Sequence, residues 1–220
     1  MTGAPHVTID VISDVVCPWC YLGKRRLEQA LAIVPDVSAE VRWRPFQLDP
    51  SIPPEGIPRA DYIRRKFGSL EALDAPNARL AAAGAAVGIA YAFDKIARSP
   101  NTIDAHRLIR WAAAAGVEEA MVERLFRFYF VEGADIGSRE VLVRAAADIG
   151  MDAAAVAADL ATDRDRAAVQ ADIDTASYAG VTGVPCFIMD GRSAVMGAQS
   201  PELLAAAIRR AVEARAAMPV

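Results

Sequence analysis

Hydrophobic and polar residues alternate near the start of the chain, and their period then changes. Alternation over residues 7–11 predicts a β-strand that ends near Ser13. From Cys17 onward, apolar residues recur at helical spacing until Pro35, which ends the predicted helix. Alternation returns over residues 41–48 and predicts a second strand. The chain therefore opens as a β-α-β unit.

The rest of the chain divides into a helical block and a short β-rich segment. A proline-rich segment at residues 45–58 predicts a loop, and no segment with strand period follows between residues 60 and 180. Residues 186–189 and 194–196 are predicted to form a β-hairpin, and Ser200 is predicted to cap the last helix. The predicted order is β-α-β, a helical block, and then α-β-β-α.

Composition and charge exclude several classes of protein. The 220 residues are 54% hydrophobic, which is enough apolar material for a sizeable core and excludes intrinsic disorder. A net charge of −4 argues against a nucleic-acid partner, since phosphate binding needs an excess of Lys and Arg. The longest uncharged, mostly apolar run lies between Arg79 and Asp94, and it is shorter than the roughly 20 residues of a membrane span. We therefore expect no nucleic acid and no membrane among the partners.

The first six residues contain no Lys or Arg, and Asp10 and Asp14 interrupt the apolar residues that follow. This pattern differs from that of a secretory signal peptide. We expect a cytoplasmic location, where thiols are kept reduced and disulfides are mostly catalytic or transient.

Cys17 and Cys20 form a C-P-W-C motif at the predicted junction between strand and helix. A helix N-terminus offers unpaired N–H groups and a partial positive charge, which stabilise a thiolate. We expect Cys17, nearer to solvent, to be the attacking nucleophile and Cys20, one turn further in, to be the resolving thiol. Pro18 suits the first helical turn because its missing N–H would have no helical partner.

A structural zinc site is the first alternative for a C-x-x-C motif, but such a site needs four ligands. The remaining candidates, Cys186, His6 and His106, contain no second close pair. Two inert buried cysteines are the second alternative, and the strand-to-helix position argues against them. We expect no metal and no organic cofactor, because electrons would pass directly between thiols.

Several segments resemble a known family. Residues 13–24, which contain the C-P-W-C motif, resemble the active-site segment of the DsbA family, and more narrowly of its FrnE-like branch of disulfide oxidoreductases. This branch is related to 2-hydroxychromene-2-carboxylate isomerases and kappa-class glutathione transferases. Three further segments agree with the resemblance and stand in the expected order: residues 43–48, residues 101–107, and residues 183–185 with residues 197–199.

The resemblance implies an α/β, thioredoxin-like fold with a large all-helical insertion. The thioredoxin-like domain is expected at residues 1–55 and 166–220, and the insertion at residues 56–165. The resemblance also implies that the Val184–Pro185 bond is cis, packs against the cysteines and holds an extended substrate chain through the backbone of Val184. An ordinary trans loop is the alternative.

Further residues receive roles from the same resemblance. Asn101 and His106 are candidate substrate-lining residues in the cleft between the insertion and the thioredoxin-like domain. A buried core histidine is the alternative for His106. Lys24, which lies within the active-site segment, is predicted to be an exposed helix residue.

Two departures from the strongly oxidising DsbA bear on the mechanism. Trp19 stands where DsbA has a histidine and brings no charge, so we expect a less oxidising pair of cysteines. Val11 stands at the position of the buried acid of DsbA, which leaves Asp14 as the nearest carboxylate. Asp14 either relays the proton of Cys20 or caps the turn.

Cys186 directly follows Pro185 and has two candidate roles. It is either a third redox thiol, which pairs with Cys17 or Cys20, or a small buried hydrophobic residue.

The function that these residues favour is that of a protein thiol–disulfide oxidoreductase or isomerase. Its expected partners are protein or small-molecule thiols and disulfides, glutathione among them, and the expected state is a monomer or a homodimer. A glutathione-dependent isomerase or transferase with a small aromatic substrate is the first alternative, but those relatives carry a serine in place of Cys17, and a serine cannot form a mixed disulfide. The second alternative is a non-enzymatic redox-sensing binding protein or chaperone.

Overall fold

The computed structural model describes residues 5–217, so the expectation about the first six residues falls partly outside the described part. The helices and strands are, in chain order, β1 His6–Ser13, α1 Pro18–Ile33, β2 Ser38–Pro45, β3 Ile57–Pro58, α2 Arg59–Phe67, α3 Asp74–Ala85, β4 Arg98–Ser99, α4 Ile103–Ala114, α5 Glu118–Arg127, α6 Arg139–Asp148, α7 Ala153–Leu160, α8 Arg166–Tyr178, β5 Cys186–Met189, β6 Ser193–Met196 and α9 Pro201–Ala216.

Four strands form a central sheet in the order β2-β1-β5-β6. β1 is parallel to β2, with α1 as the crossover, and antiparallel to β5. β5 and β6 form the predicted hairpin, and α9 begins at the Ser200 cap, whose side chain accepts a hydrogen bond from the Leu203 amide. Helices α1 and α9 pack against each other, and α9 also contacts β1 and β5. This arrangement confirms the α/β, thioredoxin-like fold class.

The second strand lies three residues earlier than predicted at both ends. β2 pairs with β1 along its whole length, from His6 beside Ser38 to Ser13 beside Pro45, so both strands end together. The apolar alternation of β2 begins weakly because Ser38 and Glu40 are polar, which hides the start of the strand in the sequence.

The region between residues 45 and 180 contains two short strands that the sequence does not predict. Ile57–Pro58 pairs antiparallel with Arg98–Ser99 and forms a separate two-stranded sheet. The prediction of a plain loop over residues 45–58, and of no strand between residues 60 and 180, is therefore wrong at these positions. Two residues are too few to show an alternating pattern, and the pairing joins segments 40 positions apart.

Aromatic rings join the helical region to α1. The ring of Tyr21, on α1, stacks on that of Phe126, on α5, with ring centroids 4.9 Å apart. Tyr91 meets Tyr21 edge-on at 6.0 Å and stacks on Phe93 at 4.9 Å. Because aromatic pairs add to the burial of apolar area, this cluster fixes the helical region onto the helix that carries the cysteine pair.

Lys24 corrects a further prediction, since it is buried and only 3% exposed. Its ammonium pairs with Glu28 on the same helix and lies 2.5 Å from a carboxylate oxygen of Glu119 and 3.3 Å from one of Glu123. The two latter residues belong to α5, which covers this side of α1. The sequence does not show that α5 covers this side of α1. The helical spacing of residues in α1 therefore predicts, wrongly, that Lys24 faces solvent.

A search of the described residues for long, apolar helices finds none that could cross a membrane.

Candidate functional site

The two cysteines lie where the sequence places them, at the start of α1. Cys17 is the N-cap residue, with an extended backbone, and Pro18 is the first residue of the helix. The amides of Cys20 and Tyr21 donate to the Cys17 carbonyl oxygen at 3.0 and 3.3 Å, and the Cys17 amide donates to the Asp14 carbonyl oxygen at 2.9 Å. These bonds fix the short connection between β1 and α1.

Both thiols are shielded from solvent. Cys17 is 3% exposed and Cys20 is 1% exposed, so the expected difference in exposure is small. Burial raises the pKa of Cys20 well above its usual value, and the neighbouring Cys17 raises it further, while the Ser13 side chain and the Asp14 backbone partly oppose the rise. Cys20 is therefore a protonated thiol at neutral pH, and it must lose a proton before it can act as a nucleophile.

Trp19 forms the exposed part of the motif. It is 45% exposed, although it lies between two buried cysteines. An uncharged indole ring at this position offers apolar contact to a partner.

The Val184–Pro185 segment lies against the cysteine pair. The Val184–Pro185 peptide bond is cis, as the resemblance implies. The Cys17 Sγ lies 3.7 Å from the Val184 carbonyl oxygen, at sulfur hydrogen-bond distance, and the Pro185 carbonyl oxygen accepts from the Gly197 amide at 2.8 Å. The segment therefore presents the backbone of Val184 beside the thiol expected to attack.

Asp14 lies beneath the junction and is 1% exposed. One carboxylate oxygen, Oδ2, accepts a hydrogen bond from the Leu48 amide at 2.9 Å. The other, Oδ1, lies 3.5 Å from Nε2 of His106 and has no hydrogen-bond partner among residues 5–217. The carboxylate thus holds the loop after β2, whereas the backbone of Asp14 serves the turn before Cys17.

Asn101 and His106 also hold that loop. The buried His106 ring has its Nε2 atom 3.0 Å from the Phe46 carbonyl oxygen, and Asn101 Nδ2 donates to the Ile52 carbonyl oxygen at 2.7 Å. Asn101 Oδ1 accepts from the amide of Ile103 at 3.1 Å. The side chains that the resemblance assigns to a cleft are thus engaged with backbone groups of residues 46–52.

Cys186 lies apart from the pair. It packs with Ile12, Ala176 and Val181, whereas Cys17 and Cys20 belong to the main core. Cys186 pairs with Ile12 across β1 and β5, and burial raises the pKa of its thiol. All three cysteines are free thiols. This placement favours the interpretation of Cys186 as a small buried hydrophobic residue.

Tyr91 is a site residue that sequence analysis misses. Its hydroxyl donates a 2.6 Å hydrogen bond to the carbonyl oxygen of Pro18, between the two cysteines. Burial raises the pKa of Tyr91 far above its usual value, and negative charge on Cys17 raises it further, so the hydroxyl stays protonated and remains a donor. Tyr91 is 73 residues from Pro18 in sequence, and no local motif indicates the contact.

No group of three or more His, Cys, Asp or Glu side chains within residues 5–217 is arranged to hold a metal ion.

Comparison with known proteins identifies the family. Residues 8–209 match the model of the DsbA-like thioredoxin domain. The chain belongs to this family. The match covers both halves of the sheet and the helices between them. The resemblance carried by residues 13–24 is thereby confirmed.

Two individual proteins are similar to this chain over much of its length. A crystal structure described as a probable DsbA oxidoreductase from Streptomyces coelicolor has 35% sequence identity and a TM-score of 0.90, and the match covers 98% of this chain and 94% of that one. YwbO, an uncharacterized protein of Bacillus subtilis, is 29% identical over 140 residues. That match spans 64% of this chain and 64% of YwbO, which is less than two thirds of the relative's length.

A structure with lower sequence identity shares the fold alone. The cytosolic disulfide reductase DsbM of Pseudomonas aeruginosa has 22% identity and a TM-score of 0.66, with coverage of 96% of this chain and 100% of DsbM. A second structure of DsbM contains glutathione and has a TM-score of 0.62.

Proposed function

We propose that this protein is a thiol–disulfide oxidoreductase that exchanges disulfides with protein or small-molecule thiols through Cys17 and Cys20. The observation that carries the proposal is the position of Cys17 at the N-terminus of α1, with its Sγ 3.7 Å from the carbonyl oxygen of Val184 beside a cis proline. The helix N-terminus stabilises a thiolate, and the neighbouring backbone can align a substrate chain.

The exchange proceeds in two steps. The Cys17 thiolate attacks one sulfur of a substrate disulfide, so that a Cys17–substrate disulfide forms and the other substrate sulfur leaves as a thiolate. Cys20 then loses its proton and attacks Cys17 Sγ, which forms the Cys17–Cys20 disulfide and releases the second substrate thiolate. The substrate gains two electrons and two protons, and the cysteine pair is oxidised. The reverse sequence oxidises a substrate dithiol.

Exposed apolar side chains beside the pair favour an unfolded or extended protein segment as one substrate. Trp19 is 45% exposed and Met196 is 44% exposed. Met196 pairs with Cys186 in the hairpin and precedes Gly197, whose amide bonds to Pro185. These two side chains therefore flank the segment that presents the Val184 backbone, and both can contact apolar groups of a client.

Glutathione is the small-molecule partner that we propose, and the cytoplasm is the proposed location. Support comes from DsbM, which shares the fold, is described as cytosolic and has been crystallised with glutathione. We propose the division into a thioredoxin-like domain at residues 1–55 and 166–220 and a helical insertion at residues 56–165. Within the insertion, Asn101 and His106 shape the site by holding the loop after β2.

The test combines insulin reduction by a small thiol with refolding of scrambled ribonuclease. We expect Cys17→Ser to reduce both activities to the uncatalysed rate, because a serine cannot form the mixed disulfide. Cys186→Ser is the matched control and should keep wild-type activity, since Cys186 lies in a separate cluster.

Equal activity of the wild type and Cys17→Ser would overturn the proposal. A glutathione-dependent isomerase would instead stay active after Cys20→Ser. A redox-sensing chaperone would still suppress client aggregation after both cysteines were replaced by serine.

A further inference from the structure

Cys20 is a buried thiol that must release a proton each time it resolves a mixed disulfide. It is 1% exposed, and the side chain at the position of the buried acid of DsbA is the apolar Val11. The Asp14 carboxylate is engaged by the Leu48 amide and lies towards His106. Oδ1 of Asp14 has no hydrogen-bond partner among the described residues, but the part of Asp14 that acts on the Cys20 thiol is the backbone. The side chain that lowers the pKa of Cys20 belongs to Ser13.

Ser13 is the polar side chain placed to receive the proton of Cys20. Ser13 is 5% exposed, and its hydroxyl oxygen has no hydrogen-bond partner among the described residues. The Ser13 side chain lowers the pKa of the Cys20 thiol by hydrogen bonding to its ionised form, so the hydroxyl lies beside that sulfur. A buried, unpartnered hydroxyl carries a free-energy cost, so its presence beside a reactive thiol calls for a function.

Ser13 also lines a cavity of about 110 Å³ between the end of β2 and helices α4, α5 and α8. This volume exceeds what a single water molecule needs, so the cavity can hold water. Arg44 and Arg110 line the cavity and are 43% and 47% exposed, so the cavity meets solvent at their side. Ser13, whose side chain acts on Cys20, is thus also a wall residue of a polar space that reaches solvent.

The cavity wall carries ionisable groups from every element around it. These are Arg44 at the end of β2, His106 and Arg110 on α4, Glu118 on α5 and Asp172 on α8. Burial raises the pKa of Glu118 to about 7, with a contribution from Glu119, against the opposing effects of the Trp43 amide and Arg44. Glu118 is therefore a group that both accepts and releases protons near neutral pH.

We propose that Ser13 and this cavity form the route by which the proton of Cys20 reaches solvent during resolution of the mixed disulfide. The proposal rests on the proposed function. The Cys20 S–H bond breaks, its proton passes to water in the cavity by way of the Ser13 hydroxyl, and the Cys20 thiolate attacks Cys17 Sγ. The Cys17–substrate bond breaks, the Cys17–Cys20 bond forms, and the released substrate thiolate takes up a proton from water. In the reverse direction the proton returns along the same route.

An aromatic disulfide probe separates the two steps. With 5,5′-dithiobis(2-nitrobenzoate), attack by Cys17 releases one coloured thiolate and resolution by Cys20 releases a second. Each variant is made in a Cys186→Ser background, so that the reduced pair supplies both releases. For Ser13→Ala at neutral pH, we expect an unchanged first phase and a second phase slowed about tenfold or more. The deficit should shrink as pH rises, because hydroxide then removes the proton.

Two further variants and a control separate an effect on the proton route from a general effect on the fold. Ser13→Thr retains the hydroxyl and should restore the second phase, whereas Ala113→Leu narrows the same cavity and should slow that phase with Ser13 intact. Ser99→Ala removes another buried serine hydroxyl that does not line this cavity, and it should leave both phases unchanged.

The route is refuted if Ser13→Ala slows both phases equally, or slows neither, while the wild type shows two releases. A wild type that shows one release and never the second would instead refute the proposed function.

Discussion

Gly23 is the residue that allows the cis-proline segment to lie on the active-site helix. A Cβ atom at this position would be 2.9 Å from Pro185 Cγ and 3.2 Å from Phe187 Cζ. Glycine within a helix usually costs about 1 kcal/mol relative to alanine. Here that cost permits a close approach between α1 and the backbone that faces Cys17.

We expect Gly23→Ala to lower the free energy of unfolding by about 1–3 kcal/mol, because overpacking at a tight contact outweighs the gain in helix propensity. Disulfide exchange should also slow, since Pro185 must move away from α1. Urea denaturation and insulin reduction measure the two effects.

The matched control for Gly23→Ala is Gly183→Ala, because a Cβ atom at Gly183 meets nothing within 4 Å. This control should keep wild-type stability. A Gly23→Ala variant as stable and active as the control would contradict the close approach.

At the scale of elements, the tyrosine that reaches the cysteine pair packs on the end of α3. A Cβ atom at Gly84 would lie 2.5 Å from Cε2 of Tyr91 and 2.7 Å from Cδ2, so the ring lies directly over the glycine. The ring continues to the hydroxyl that donates to the Pro18 carbonyl oxygen. Helix α3 is thereby coupled to the first turn of α1.

We expect Gly84→Ala to destabilise the protein by about 2 kcal/mol, although alanine is normally favoured over glycine in a helix. The ring of Tyr91 must leave its place, and the hydrogen bond to Pro18 is lost with it. Urea denaturation of the single variants and of the double variant with Tyr91→Ala measures the coupling.

In the Tyr91→Ala background, the penalty for Gly84→Ala should disappear or change sign, because the clashing ring is gone. Equal penalties in both backgrounds would show that Gly84 acts independently of Tyr91.

The sequence predicts the parts of this fold whose pattern is local. The strand before Cys17, the helix after it and the hairpin after Pro185 all show their period or their turn residues in consecutive positions. The paired strands Ile57–Pro58 and Arg98–Ser99 are too short to show a period. The residues of the candidate site likewise fall into those that the sequence indicates and those that it does not.

Cys17 and Cys20 are recognisable from their spacing, and Val184–Pro185 is recognisable from the family resemblance. Tyr91 and the partners of Lys24 are not recognisable, because they meet the site from elements roughly 70 to 100 positions away. The family resemblance assigns Asn101 and His106 to a substrate cleft, because a backbone hydrogen bond to a distant loop cannot be recognised from their neighbours in sequence.

At the scale of the whole molecule, Lys24 joins the helix of the cysteine pair to the helical region. Burial alone would lower the pKa of Lys24, but Glu119 and Glu28 outweigh that effect and raise the pKa above its usual value. Burial would likewise raise the pKa of Glu28, but Lys24 and Arg25 hold it below its usual value. The Lys24 ammonium and the Glu28 carboxylate are therefore charged together over a wide range of pH.

We expect Lys24→Met to lower the free energy of unfolding at neutral pH by about 2 kcal/mol, less than for a fully buried ion pair because the carboxylates are partly exposed. A lowered carboxyl pKa stabilises the fold above the usual carboxyl pKa and ceases to do so as pH falls through the lowered value. A raised lysine pKa stabilises the fold below the usual lysine pKa and ceases to do so as pH rises through the raised value. The penalty should therefore be largest near neutral pH and should shrink in acid.

Urea denaturation at about pH 7 and about pH 3 brackets the titration of the carboxylates. Lys95→Met, at an exposed position between α3 and β4, is the control and should change stability by less than about 0.5 kcal/mol at either pH. A Lys24→Met penalty that stays constant between the two pH values would contradict the ionic role.

The hydrogen bond from Tyr91 to Pro18 also limits what can be moved between proteins. The segment that carries Tyr91 lies between α3 and β4, far from the sheet in sequence. Grafting C-P-W-C onto another thioredoxin-like scaffold would transfer both thiols and leave this donor behind. A minimal enzyme trimmed to the sheet and its two packed helices would lose the same donor, so the smallest transferable redox unit includes the segment after α3 that carries Tyr91.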